Sequence, residues 1–290
     1  MRQGIQLVLV ALLVLGLGYA GYRLIFTEDA DLQVEVIEAQ GTVRRVGTDG
    51  QPVDLAVGDE VDAEQSVEVG PNSRAVLGVG EGTRLELEAA SAVRVLEVDP
   101  GGVRVELEQG RVKARVRAGS TPLGVNSRGR AIYADDADFT VAVDAEGALV
   151  LQPERGTVRV QGVDEGETAV GQGTRLSSMP GRSAVMESVP ADLLLEVGWP
   201  TKATTRGAEV VIEGRTGAYA QVEVGQDQSW TKVRAGPEGR FRANVPLDEG
   251  ANHVQVRARD PLGNTRQEEQ DIERDSTAPS IAGSEVQWGP

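Results

Sequence analysis

Four cations at alternate positions, Arg111, Lys113, Arg115 and Arg117, are the residues whose types and spacing could do most in this chain. The residues between them, Val112, Ala114 and Val116, are apolar. In an extended strand the cations therefore share one face and the apolar residues the other. Such a stripe can meet an anionic glycan, a lipid headgroup or an acidic protein partner. The same pattern also serves cross-strand pairing, here with Glu106 and Glu108 expected on the preceding strand, or protection of a sheet edge. Trp230, Tyr219 and Trp199 could stack on sugar rings. In a chain only 3% aromatic, packing into the core is the competing use.

Covalent and metal chemistry find little to work with. Cysteine is absent, which removes disulfides, thiol nucleophiles and thiolate metal sites together. His253 is the one histidine, and a metal site needs more ligands than it can supply. A glycosidase needs two carboxylates fixed about 5 to 9.5 Å apart in a cleft. The acids here fall instead on alternating, outward strand positions: Glu86 and Glu88 flank Leu87, while Glu106 and Glu108 flank Leu107 with Arg104 on the same face. Asp135-Asp136-x-Asp138 and Asp29-x-Asp31 carry oxygen ligands but lack the glycine and closing glutamate of a calcium loop. Gly78-x-Gly80-x-Gly82 has no following helix and no lysine, so it reads as turn chemistry. No catalytic residue, metal site or cofactor is expected, and the chain is not expected to be an enzyme.

The net charge of −16 opposes nucleic acid as a partner, because neutralising phosphate needs a basic surface. Residues Ile5 to Phe26 read IQLVLVALLVLGLGYAGYRLIF, long enough as a helix to span about 33 Å against a hydrocarbon core of roughly 30 Å. Arg2 precedes this run; Glu28, Asp29 and Asp31 follow it. The charge bias puts the N-terminus in the cytoplasm and the bulk outside, in the periplasm. Two fates stay open. One is an uncleaved single-pass anchor in a bacterial inner membrane; the other is a signal peptide cut after the small residues Gly18 and Ala20.

After an acidic spacer, residues 27–33, period-2 alternation dominates, with turn signals at roughly ten-residue spacing. The ordered motifs are Ala39-x-Gly41-x-Val43, Leu55-x-x-Gly58-x-x-Val61, Ser73-x-Ala75-x-Leu77, Gly82-x-x-Leu85-x-Leu87 and Leu107-x-x-Gly110-x-Val112. Thr121-Pro122-x-Gly124-Val125, Phe139-x-Val141-x-Val143, Gly156-x-Val158-x-Val160 and Val170-x-x-Gly173 continue the series. This order, over about residues 34 to 178, resembles the FecR domain of periplasmic regulators of iron-dicitrate uptake. Ala137-Asp138 stands where that family usually has Gly-Thr. Founding members carry a cytoplasmic anti-sigma segment before the membrane helix. With four residues ahead of Ile5, the resemblance implies the periplasmic domain without that arm.

A second alternating region begins after Val189-Pro190 and Trp199-Pro200. Its Gly250-x-Asn252 and Asp260-x-x-Gly263-Asn264 turns, with Asn252 and Asn264 expected to hold them, make about residues 192 to 274 resemble a bacterial immunoglobulin-like module. The expected organisation is all-β: an anchor or signal segment at 1–26, a FecR-like β-roll or solenoid-like sandwich at 34–189, an immunoglobulin-like sandwich at 190–274 and a tail at 275–290. The leading expected function is a non-catalytic, membrane-tethered envelope binding or scaffold protein, with an envelope protein or cell-wall glycan as partner. The alternative is an extracytoplasmic sensor that signals through a separate membrane partner.

Overall fold

The computed structural model describes residues 32–163, 166–189, 193–200, 204–227 and 229–277. The apolar run at 5–26, the Asp29-x-Asp31 pair and the tail from 278 lie outside the described residues. Among the described residues there are strands and turns and no helix, and so no helix long and apolar enough to cross a membrane.

The N-terminal body is built from β1 (Val34–Gln40), β2 (Val43–Val46), β3 (Pro52–Asp54), β4 (Glu60–Val61), β5 (Ser66–Val69), β6 (Arg74–Val79), β7 (Thr83–Leu87) and β8 (Ala92–Asp99). It continues with β9 (Gly102–Val116), β10 (Leu123–Ser127), β11 (Arg130–Ala134), β12 (Ala137–Val143), β13 (Leu149–Val163), β14 (Gly166–Gly171), β15 (Thr174–Ser178) and β16 (Val185–Ser188). These strands form two layers. The first runs β4-β1-β6-β7-β9-β12-β13-β15-β16, antiparallel throughout. The second runs β3-β2-β5-β8-β9-β10-β11-β13-β14, with β9 and β10 parallel. One apolar core fills the space between them, mostly Val and Leu around Phe139.

β9 and β13 belong to both layers. Gly102–Gln109 pairs in the second layer, and Gly110–Val116 in the first. β13 does the reverse, crossing at Gly156. The crossing in β9 at Gly110 corrects the expectation that Glu106 and Glu108 lie on a separate strand before the basic stripe. The strand continues and bends, which puts Glu106 and Glu108 in the opposite layer from the basic stripe. Gly110 sits at φ +88° with Ser91 Cα 2.4 Å from where a Cβ would stand. Gly156 sits at φ +75° with the Asp136 carbonyl oxygen at 2.4 Å from the same position. Only a residue without a side chain fits either corner. After its bend β9 runs on to Val116, and residues 117–122 return the chain to lie parallel to its first half. That excursion supplies the crossover a parallel pair needs and closes one coil of a roll.

The C-terminal body contains β17 (Leu195–Gly198), β18 (Thr204–Thr205), β19 (Glu209–Thr216), β20 (Gln221–Gln226), β21 (Ser229–Arg234), β22 (Arg240–Pro246), β23 (Gly250–Arg259) and β24 (Thr265–Arg274). A sheet β17-β19-β22 faces a sheet β18-β24-β23-β20-β21, with Ile212, Val222, Val224, Phe241, Val254 and Ile272 among the buried side chains between them. Strict alternation in β22, buried at every second residue, is the pattern of a strand with one solvated face. Asn252 is buried and fixes its turn by accepting from the Asp248 amide and donating to the Asp248 and Gly250 carbonyls. In the second turn Asp260 takes that role, accepting from both the backbone and the side-chain amide of Asn264.

The two bodies are joined by a dry, charged junction. Arg175 on β15 and Asp260 after β23 are 5% and 4% exposed and 3.2 Å apart. Gln152 accepts the remaining Arg175 hydrogen bonds. Arg234 reaches Asp144 at 2.7 Å and Glu146 at 2.7 Å in the β12–β13 turn. Leu262 packs on Ala142 and Val150, while Ala218 and Tyr219 pack on Ala148, Met179 and Val185.

Two predictions follow from these contacts. Gly110→Ala or Gly156→Ala should lower unfolding free energy by at least ~2 kcal/mol, through left-handed strain plus collision with backbone. Gly50→Ala is the control: it has φ +72° but open space around its Cβ, and should lose only about 1 kcal/mol. Equal losses in urea titrations would refute the close-approach account. Asp260→Ala, which strands a buried guanidinium, should cost about 3 kcal/mol or more. Adding Arg175→Met should return over half of that, and no recovery would show that Asp260 acts only through its turn.

Candidate functional site

The outward face of the first layer carries a cluster of charged side chains away from the junction. Successive side chains of its strands point to opposite faces, although on β6 and β12 some outward positions, Val76 and Thr140 among them, are themselves buried. β6, β7, β9, β12 and β13 contribute Arg74, Arg84, Glu86, Lys113, Arg115, Asp138 and Glu154 to a groove of about 630 Å³, and β1 contributes Ile37 and Glu38. Ile37 follows the alternation of Val34, Glu35 and Val36 to the outer face, where it is 36% exposed, and a register shift after Val36 keeps Glu38 on that face beside it. Its side chain then lies over Gly78, with Cγ2 3.1 Å from where a Cβ would stand.

The cross-strand rows fix which charges meet. One row runs Gly78, Arg84, Arg115, Asp138, Arg155 from β6 to β13. A second runs Val76, Glu86, Lys113, Thr140, Gln152. Arg74 bridges Glu86 at 2.9 Å and Glu38 at 3.1 Å. Thr140 donates to Glu154 at 2.7 Å. Asp138 accepts from Arg117 at 3.0 Å and from Arg155 at 3.4 Å, and Arg155 also holds Asp136 at 2.7 Å. Burial alone would push the Asp138 carboxyl up, but the hydrogen bond and charge of Arg155, with Arg117 behind, outweigh it and hold the group below its ordinary range.

The structure divides the basic stripe. Arg111 is drawn into the junction: it pairs with Glu88 at 2.8 Å and donates to the Leu262 carbonyl of the C-terminal body. Lys113 shares Glu88 at 3.1 Å, and Arg117 is held by Asp138. Arg115 faces the groove. The expected pairing with Glu106 and Glu108 does not form, since Glu108 meets Arg94 within the second layer. Arg84, Arg74 and Ile37 join the site without having been singled out by sequence. Arg84 was legible as an outward residue in Thr83-Arg84-Leu85-Glu86-Leu87; the bulge that puts Glu38 beside Ile37 on the outer face was not.

The aromatic candidates part company. Tyr219 is wholly buried at the junction, its hydroxyl donating to the Ser183 carbonyl, so it presents no face to a sugar. Burial raises its phenol above the ordinary value, a nearby Arg182 opposing. Trp230 lies half-buried on the outer face of the C-terminal body, with Arg257 stacked 4.3 Å from its ring centre. Trp199 packs against the core. His253 lies on the surface between Asp271 at 2.7 Å and Glu269 at 3.4 Å; the hydrogen bond to Asp271, ahead of the charge of Glu269, raises its proton affinity. Asp135, Asp136 and Asp138 are engaged by arginines, and no cluster suited to a metal ion occurs among the described residues.

This arrangement is an all-β surface with ion-paired charges along an open groove. Residues 65–159 match the family described as FecR protein, and this segment contains every groove residue except Ile37 and Glu38. That region is a FecR domain. No curated protein matches the chain. Among solved structures, a candidate anti-sigma factor from Parabacteroides distasonis aligns at 17% identity over 42% of this chain and 59% of its own, with a TM-score of 0.38. A second crystal structure with the same description gives 18% identity and the same coverage. This chain thus spans under two thirds of those structures. A tetra-tandem repeat from the extending region of a large adhesion protein aligns at 15% identity over 85% of this chain and 67% of its own, with a TM-score of 0.24. Likenesses this distant carry no conclusion about the fold or activity of this chain.

The Asp138 contacts predict an acid dependence. Its depressed proton affinity stabilises the fold above the ordinary carboxylate value near 3.8, and the contribution disappears as pH falls through the lower folded value. Asp138→Asn should cost roughly 1 kcal/mol at pH 7, modest because a quarter of the side chain is exposed. Urea midpoints of the two proteins should converge as pH falls below the ordinary carboxylate value near 3.8. A pH-independent gap would rule out the charge as the cause.

Proposed function

We propose that this chain is the sensing part of a bacterial envelope signalling system, acting through a separate protein partner in or at the membrane. The observation that carries this reading is the FecR match at residues 65–159, which coincides with the strands that build the charged groove. In this reading residues 5–26 tether the chain to the inner membrane with its N-terminus in the cytoplasm. The two β bodies then stand in the periplasm, the second as an immunoglobulin-like module. Their junction makes them one unit, so an event at the groove is presented to the partner by the pair together.

The role is recognition without catalysis. The groove holds guanidinium, ammonium and carboxylate groups but no nucleophile beside a base, and most of its charges are already paired. This favours the sensor over the scaffold reading, because the matched segment and the elaborated surface are the same strands.

The test is site-specific photocrosslinking in the native cell. A crosslinking residue at Val76 or Glu154 in the groove should capture a membrane-embedded regulatory protein, identified by mass spectrometry. The same residue at Arg159, on the second layer, should not. Recovery of cell-wall polymer alone from the groove positions would overturn the sensor reading in favour of a scaffold.

A further inference from the structure

Arg84 and Arg115 stand directly opposite each other on β7 and β9. Both side chains are exposed, and neither forms an ion pair or hydrogen bond among the described residues. Like charges in directly opposed positions destabilise a sheet. Their surroundings make this more pointed: the other charges of the groove, Arg74, Lys113 and Asp138, are all engaged. Asp138 lies opposite Arg115 on its other flank, yet its oxygens go to Arg117 and Arg155. In a chain of net charge −16 two free cations have been left facing each other.

We infer that the Arg84–Arg115 pair is the anchor for a carboxylate on an acidic segment of a partner protein, lying across the first layer with an apolar side chain against Ile37. The inference rests on the reading of this face as a docking surface for a protein. Two guanidinium groups on adjacent strands can take one carboxylate between them by charge-assisted hydrogen bonds. Ile37, lying over Gly78, gives an apolar contact at the end of the same row, beside Arg84. A neighbouring aliphatic residue of the segment fits there. The rim argues against a polyanion. Glu38, Glu86, Asp138 and Glu154 line the groove in equal number with Arg74, Arg84, Lys113 and Arg115, so a nucleic acid or a uniformly charged glycan meets no net positive surface there. What the groove accepts is a localised negative charge with an apolar neighbour, the signature of a short acidic stretch of protein.

The test uses the full chain in detergent or nanodiscs and a fluorescent hexapeptide of alternating Glu and Val. Polarisation should report saturable binding that weakens as salt is raised. Arg84→Glu and Arg115→Glu should each weaken it at least tenfold. The control, Arg206→Glu with Arg266→Glu, places the same kind of charge change on the C-terminal body and should leave it within twofold. Arg84→Glu supplies a second readout independent of binding. Its other cross-strand neighbour is Gly78, so the change converts a repulsive pair into an attractive one, and its melting temperature should rise while binding is lost. A purely structural role for the pair would lower both. Equal affinity for free glutamate would overturn the inference in favour of a small-anion site, and equal affinity for polyphosphate would overturn it in favour of a polyanion surface. Crosslinking with the Arg84→Glu protein separates the two readings. Unchanged capture of the membrane regulator sinks the anchor but keeps the sensor; hexapeptide binding without any regulator captured in cells keeps the site but sinks the sensor.

Discussion

Gly110 and Gly156 are the constraint from which the N-terminal body follows. Two strands can serve both layers only if the backbone turns sharply where another strand lies against it, and at each corner a Cβ would sit 2.4 Å from a backbone atom. The sharing has an energetic consequence. Each layer continues into the other through an unbroken run of hydrogen-bonded chain, so the layers cannot slide without breaking ladders in both. A core of Val and Leu, with few large aromatics to lock its shape, gains definition from that covalent stitching.

The junction extends the same rigidity to the C-terminal body. Its central ion pair is nearly dry, and such a pair contributes less by attraction than by the penalty for losing either partner. Gln152 and Asp260 between them accept from all three guanidinium nitrogens of Arg175. The turn from Asp260 to Asn264 thus has two roles. It reverses the chain between β23 and β24, and it aims the carboxylate that docks the whole body. The small apolar clusters on either side keep water from the pair.

Much of this was legible in the sequence, for an identifiable reason. Period-2 alternation with glycine punctuation specifies strands and faces, because inward and outward positions differ in polarity at every step. The face shared by Arg111, Lys113, Arg115 and Arg117 was readable on that basis, as were the turns at Asn252 and Asp260–Asn264. The partners of those residues were not. Gly110 has the same letter whether it ends a strand or bends one, and the choice decides whether Glu106 and Glu108 meet the stripe or lie in another layer. Long-range pairing is set by the packing of strands far apart in sequence. Arg175 therefore gave no sign of meeting Asp260, and Tyr219 gave none of meeting Ser183. Glu38 is a further case, since a one-residue bulge after Val36 reverses the face that alternation from Val34 and Val36 assigns to it.

The division of labour along the second half of β9 shows how a single pattern can carry two tasks. Arg111 and Arg115 lie four residues apart on one face, about 13 Å at the rise of a strand. At one end of that distance stands the C-terminal body, at the other the groove. Arg111 needs a planar fork, because it must satisfy the Glu88 carboxylate and the Leu262 carbonyl from one side chain; a lysine, with a single point of charge, would serve one well and the other poorly. Lys113, between them, has only Glu88 to meet, and an ammonium suffices. The change from arginine at 111 to lysine at 113 thus follows a change of task, from serving two acceptors to serving one.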